Sequence, residues 1–169
     1  MNQLRLVILG ASGMVGGYAL RYMLDHPTIE RVTAIGRRKL GVSHPKLVEV
    51  LHQDFSNCAS LAQAASDQDG CIFCLGTYTG TVRDAELRTI TVDYPIEFAR
   101  VLRESSPNAA FSFLSGAGAD QTGPAACIFN CGVHLVFTGD VIFVFARENF
   151  DVLKLKIVRA LHDGSKKLP

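Results

Sequence analysis

The chain has no tryptophan, few prolines (six) and methionines (three), and almost no net charge. Seventeen Lys and Arg stand against sixteen Asp and Glu in 169 residues, leaving +1. A chain this balanced lacks the broad positive field on which binding to nucleic acid or an anionic membrane surface rests. Charged residues make up 20% and apolar residues 48%, which excludes wholesale disorder and provides for a buried core. The length suits one domain and is short for two. Long apolar runs are also missing. Residues 125–146 hold a single charged residue, Asp140, but Asn130, Gly132, His134 and Gly139 interrupt them, and Val141–Ala146 is their longest unbroken apolar stretch. A membrane-crossing helix needs about 20 mostly apolar residues, so no membrane span is expected. Nor is there a cationic segment followed by a long hydrophobic one at the N-terminus. Five cysteines, at positions 58, 71, 74, 127 and 131, are an odd number. Without a secretory leader they read as reduced thiols, and the cytoplasm is the expected compartment.

What is present is an alternation of strand and helix signals. Leu4–Leu9 is a nearly continuous apolar run that suits a strand buried on both faces. Met14–Asp25 changes to helical spacing, with Val15, Leu20, Met23 and Leu24 on the inner face, and His26-Pro27 ends it. Val32–Gly36, Leu47–Leu51, Cys71–Leu75 and Ala110–Leu114 read as further strands. Cys58–Ser66 suits a short helix, and Arg83–Arg103 is mostly helical. In its second part Asp93 is expected to cap, with Pro95 in the first turn and Ile96, Ala99, Val101 and Leu102 facing inward. The alternation predicts an α/β fold, a Rossmann-like, doubly wound parallel sheet covered on both faces.

The strongest chemical signal lies between the first strand and the first helix: Gly10-Ala11-Ser12-Gly13-Met14-Val15-Gly16. In that setting Gly10 permits a tight turn, Gly13 lets backbone N–H groups approach a pyrophosphate, and Gly16 allows close helix–strand packing. The free N–H groups and positive end of the helix then face the phosphates. The tip of the second strand bears on the choice of cofactor. Sites for NAD carry a carboxylate there, whereas an Arg accommodates the 2′-phosphate of NADP. Here the strand runs into Gly36-Arg37-Arg38-Lys39 without a carboxylate, so NADP is expected in preference to NAD. Ligands in such sheets sit at the carboxyl ends of the strands. Asp54 can therefore accept from an adenine amino group with Phe55 nearby, or cap the helix after it, and Leu75-Gly76-Thr77 can pass beneath the nicotinamide ribose.

The glycine turn, Ile35-Gly36-Arg37-Arg38-Lys39-Leu40, Cys74-Leu75-Gly76-Thr77 and Leu114-Ser115-Gly116-Ala117-Gly118-Ala119-Asp120 occur in an order that resembles the atypical short-chain dehydrogenase/reductases, in particular the Tat-interacting oxidoreductase-like group. The resemblance covers residues 4–123. It implies a Rossmann domain binding NADP(H), with Gly10, Ser12, Gly13, Met14, Val15, Gly16, Arg37, Arg38 and Thr77 around the cofactor and Ser115 as the active-site hydroxyl. Members of the group are known more for cofactor-dependent regulatory or binding roles than for a settled substrate. The small-molecule substrate therefore stays open, and a protein partner is one expected class.

In that family a Tyr-x-x-x-Lys pair follows the serine, the Tyr serving as acid or base and the Lys lowering its pKa. This chain has Tyr at 18, 22, 78 and 94 and none later, and no Lys between Ser115 and Phe150. Ser115 alone lacks proton-transfer machinery, and impaired catalysis is expected. A cofactor-binding regulatory module without turnover is the alternative. Residues 124–169 also change in composition, with five of the ten Phe. They are expected either to complete the same domain, with Val141–Ala146 as a sixth strand and Phe150–Leu161 as a helix, or to mark a truncation, an alternative exon or a shifted reading frame.

Other constellations carry less. On a strand, Cys71 and Cys74 point to opposite faces, which argues against a shared metal or disulfide and for buried thiols. Cys127, Cys131 and His134 lack a fourth ligand for zinc, so no metal site is expected. His44, His52 and His162 suit surface positions. Gly10–Gly16 followed by Leu24-Asp25-His26-Pro27 also resembles the N-terminal domain of semialdehyde dehydrogenases, in which Cys127 or Cys131 would be the nucleophile.

Overall fold

The computed structural model describes residues 3–77 and 82–113, together with the backbone of 114–115, 133–138 and 141–146. Strands β1 (Leu4–Leu9), β2 (Ile29–Gly36), β3 (Leu47–Leu51), β4 (Gly70–Phe73) and β5 (Ala110–Ser115) run parallel, in the order β3-β2-β1-β4-β5. The chain steps outward from β1 to β3, then returns to the other side of β1 with β4. This reversal creates the crevice where doubly wound sheets bind ligands. Beyond β5 the sheet continues with β7 (Val141–Ala146) and then β6 (Val133–Thr138), both joined by antiparallel pairing.

Alternation in the buried strands divides the core into two layers. Val7, Leu9, Ile35, Cys71, Phe73, Phe111 and Phe113 face one side. Helix α3 (Tyr94–Ser105) covers that side through Phe98, Val101 and Leu102, assisted by Phe55, Leu61 and Ala65. On the other side Leu6, Ile8, Val32, Ala34 and Ile72 meet α1 (Met14–Asp25) through Ala19, Leu20, Met23 and Leu24. Three phenylalanines of the central strands stack across the first layer, with Phe73 5.9 Å from Phe111 and 6.0 Å from Phe113.

Most expected elements form, and the departures have physical causes. The second strand starts three residues earlier than expected, at Ile29, because its charged opening pairs along the backbone with Leu4 and Arg5 of β1, beside which Glu30 lies 3.6 Å from Arg5. Cys58–Ser66 forms only a 3-10 turn, Ala59–Leu61, followed by irregular turns. There the Ser66 hydroxyl takes the Ala62 carbonyl and competes with helix continuation. The helix from residue 84 runs as α2 (Asp84–Arg88), a π-helical turn (Thr89–Asp93) and α3. Asp93 does not cap: its backbone is helical and its side chain makes no capping bond. The wide turn precedes Pro95, whose ring cannot share an ordinary helical hydrogen bond with residue 91. Ile96 faces solvent at 43% exposure, and Phe98 takes the inward place instead. Val15 is only half-buried. Val141–Ala146 does lie next to β5, but antiparallel to it. The loop expected at 116–124 and the helix expected at 150–161 lie outside the described residues.

Candidate dinucleotide site

The parallel register sets Leu9, Ile35, Val50, Phe73 and Phe113 in one row across the sheet. Just beyond that row the chain leaves β1, β2 and β4 at the same edge, and the candidate site is built from those exits. Gly10 takes φ +83, a left-handed conformation that costs an L side chain about 1–2 kcal/mol. A Cβ there would also sit 2.6 Å from the carbonyl carbon and oxygen of Cys74. The turn then folds on itself, the Gly13 N–H donating to the Gly10 carbonyl at 3.0 Å. Gly16, in the first turn of α1, rests on that same carbonyl; a Cβ on Gly16 would overlap its oxygen. Gly10 and Gly16 thus pack backbone on backbone. Gly13 is the N-cap and brings no capping side chain, and the first helical bond visible after it runs from Gly17 N–H to Gly13 carbonyl at 2.8 Å. The N–H groups of Met14, Val15 and Gly16 remain without an intrahelical partner. Ser12 and Met14 are exposed beside them, and Ala11 is buried.

At the end of β2 the basic tip is held by its backbone. The Gln53 side-chain amide donates to the Arg37 carbonyl at 2.7 Å, and the Leu40 N–H donates to Glu49 Oε2 at 2.8 Å. Between these tethers Arg37, Arg38 and Lys39 are exposed, and no ion pair or hydrogen bond engages their side chains among the described residues. A shallow groove, open to solvent, joins these parts. Gly10–Ser12, the end of β2 through Arg38, Leu40, Glu49–Leu51 of β3 and Leu75 line it.

The groove gathers some of the expected site residues and leaves others apart. Gly10, Ala11, Ser12, Arg37, Arg38 and Leu75 share it, and Gly13, Met14, Val15 and Gly16 continue from it into α1. Gly76 and Thr77 come directly after Leu75, the first exposed and the second half-buried. Asp54 does not line the groove. Its carboxylate accepts from the Ser56 N–H at 3.0 Å and from the Ser56 hydroxyl, and these bonds hold it below the usual carboxylate range. Phe55 is 2% exposed and packs its ring against His52 and Tyr94, at 5.1 and 6.0 Å. Ser115 is the last residue of β5, at the same edge of the sheet. Glu49, Leu40, Leu51 and Gln53 were not expected at the site. The signal was present for Glu49 as the lone charge within Leu47-Val48-Glu49-Val50-Leu51, a strand paired with the end of β2.

The thiols behave as the strand geometry requires. Cys71 belongs to the layer under α3, and Cys74 packs against the opposite layer. Burial pushes Cys58 up to about 11 and Cys74 up to about 12, and Cys71 well above its ordinary value. No group of His, Cys, Asp and Glu able to hold a metal occurs among the described residues. His52 and His44 are not idle surface groups: His52 Nε2 lies 2.7 Å from the Asp54 carbonyl, and His44 Nδ1 accepts from the Lys46 N–H at 3.2 Å. Cys127, Cys131 and His162 lie outside the described residues, as does the side chain of His134. No helix among the described residues is long and apolar enough to cross a membrane.

No family model matches the chain. It is 31% identical over 124 residues to the protein HTATIP2 of Rattus norvegicus, an alignment spanning 72% of this chain and 51% of that protein. To the mitochondrial protein fmp52-1 of Aspergillus oryzae it is 26% identical over 119 residues, covering 68% and 50%. The chain thus spans about half the length of the curated relatives it matches. Among solved structures, uronate dehydrogenase from Agrobacterium tumefaciens superposes with a TM-score of 0.54 at 16% identity, over 66% of this chain and 41% of that one. A variant of that enzyme complexed with NAD gives 0.53 at 17% identity, over 64% and 40%. A short-chain dehydrogenase family protein from Francisella tularensis gives 0.53 at 15% identity, over 73% and 56%. These likenesses are likenesses of fold, and the fold is that of Rossmann-type short-chain dehydrogenases.

Proposed function

We propose that this chain, whose resemblance to the atypical short-chain dehydrogenase/reductases holds in both sequence and fold, binds a nicotinamide dinucleotide and prefers NADP(H) to NAD(H). One observation carries the reading: Arg37 and Arg38, whose side chains have no partner among the described residues, line the same groove as Gly10–Ser12 of the glycine turn. The residues fit the group on three counts. The turn leaves no room for a Cβ at Gly10 or Gly16, the first N–H groups of α1 have no intrahelical partner, and two cations without a partner among the described residues stand where a further phosphate adds charge. Met14, Val15 and Gly16 would hold the pyrophosphate, Arg37 and Arg38 the 2′-phosphate, and Leu40 and Leu51 would offer apolar contact to the base. A bound nicotinamide supplies hydride transfer. That the uronate dehydrogenase variant holds NAD supports the dinucleotide class, while the arginines support the NADP side.

Turnover is a separate matter. Ser115 can donate a hydrogen bond to a carbonyl, but the 169 residues hold no Tyr-x-x-x-Lys after it. We therefore read this chain as binding the cofactor with impaired catalysis, which suits a regulatory or protein-binding role. Residues 1–123 form the dinucleotide-binding unit in this reading, with 124–169 as a divergent segment that completes the same domain or is appended to it. The buried thiols fit a reducing compartment, and we assign the cytoplasm, although the fungal relative is named as mitochondrial.

Calorimetric titration of the purified chain with NADPH and NADH, with Arg37→Ala in parallel, tests the assignment. Binding of NADPH about tenfold tighter than NADH, an advantage removed in Arg37→Ala, is expected from one charge-assisted phosphate contact. Equal affinities, or an Arg37→Ala variant that keeps the preference, would overturn it.

A further inference from the structure

We infer that Glu49 sets the balance between NADPH and NADH in this groove, its carboxylate tethering the basic tip while opposing the phosphate that the tip attracts. The inference rests on the dinucleotide reading above. The connection between β2 and β3 contains no helix; residues 37–46 cross as a loop. Three features hold its start. Gln53 donates to the Arg37 carbonyl, Leu40 donates to Glu49 Oε2, and the Leu40 side chain packs against the core layer under α1. Arg37 and Arg38 lie between the two hydrogen bonds, so their backbone is fixed and their side chains are free.

Glu49 reaches this position from β3, where it pairs with Ala34 two residues short of the β2 tip. It is exposed, it lines the groove with both arginines, and it forms no ion pair with either. A ligand entering the groove therefore meets two cations and one anion. A 2′-phosphate gains from the cations and loses to the anion. A bare ribose is indifferent to the repulsion and can donate a hydroxyl to the carboxylate, the role that an acidic residue at the β2 tip plays in NAD sites. The carboxylate missing from the tip of β2 is thus supplied by the neighbouring strand. Glu49 both steadies the arginines and moderates the preference they impose.

The two roles separate by substitution. Glu49→Gln keeps a side-chain oxygen to accept from Leu40 and removes the charge; Glu49→Ala removes both. Dissociation constants of NADPH and NADH are measured for the full chain and both variants, with Arg37→Ala as a control. Because the readout is the ratio of two ligands on one protein, partial unfolding cancels. Glu49→Gln is expected to raise the NADPH preference about threefold, the scale of one unit charge in a solvated groove. Glu49→Ala should fall about threefold below Glu49→Gln in NADPH affinity, as one backbone tether is lost. A Glu49→Gln preference that is unchanged or lower, or Gln and Ala variants that match, would overturn the inference. If Arg37→Ala weakens NADPH in that same experiment, the cofactor assignment survives and the role of Glu49 alone falls. If Arg37→Ala changes nothing, the NADP assignment itself falls.

Discussion

Gly10 and Gly13 sit three residues apart in one turn, yet the backbone asks very different things of them. Gly10 combines a left-handed φ with a 2.6 Å approach to the Cys74 carbonyl, whereas a Cβ on Gly13 meets only the Gly10 oxygen, at 3.3 Å. Gly10→Ala should cost about 2 kcal/mol or more, from the φ penalty and the displaced backbone together. Gly13→Ala should cost about 1 kcal/mol, as for replacing a glycine N-cap. Urea unfolding of the two variants compares them, and equal midpoints would contradict this account of the turn. The thiols make a second residue-scale case. With Cys58 near 11 and Cys71 pushed well above its ordinary value, thiolate is scarce at pH 8, and native Cys58 and Cys71, both buried, should alkylate only on unfolding. Site-resolved mass spectrometry checks this; rapid native labelling at Cys58 or Cys71 would refute their burial.

At the scale of elements, α3 is held at both ends by polar contacts to the segment between β3 and β4. Near its start, Glu97 accepts from the Cys58 N–H at 3.1 Å and pairs with Arg100 at 3.0 Å. The bond from Arg100, then that from Cys58, holds the Glu97 carboxylate below its usual range. A carboxyl lowered on folding stabilises above its unfolded pKa, and that stability is lost as pH falls through the folded value. Glu97→Gln should therefore lower stability at pH 7 and have little effect at pH 2, which thermal melts at the two pH values would detect; a loss equal at both would refute it. After α3 ends, the buried Ser106 hydroxyl donates to the Ala65 carbonyl at 2.8 Å and accepts from the Gln68 N–H at 3.0 Å. Ser106→Ala strands both partners and should cost about 1–3 kcal/mol in urea unfolding. A loss below about 0.5 kcal/mol would contradict that role.

The elements also differ in how far their residues announce them. The bounds of β1, α1 and β3 are legible because each signal is local: an apolar run stopped by Gly10, a helical period stopped by His26-Pro27, a short alternation. The inward face of α3 follows ordinary helical spacing through Pro95, Phe98, Val101 and Leu102, and it is Phe98, not Ile96, that shares a face with Val101 and Leu102. The start of β2 is hidden because Glu30 and Arg31 look like a loop until the pairing with β1 is known.

The whole molecule gathers its candidate site from three strand exits on one edge, and this explains what was legible there. The glycine turn and the arginine pair are each contiguous in sequence and could be read directly. Glu49 and Gln53 join them only through the pairing of β2 with β3, and Asp54 and Phe55 lie close in sequence but turn into a local loop and the core. The apolar run Val141–Ala146 is likewise explained by its neighbours: it pairs with β5 on one side and β6 on the other, so it presents no open edge. The chain nevertheless spans only about half the length of its curated relatives.

The central claim is that these two features form one dinucleotide site, and amide chemical-shift mapping of the isotope-labelled chain with NADPH tests it most directly. The account predicts that the largest shifts fall on Ser12–Gly16 and on Arg37–Leu40, in a single saturating transition. Saturable shifts confined to other residues, or no shifts at millimolar NADPH, would contradict it.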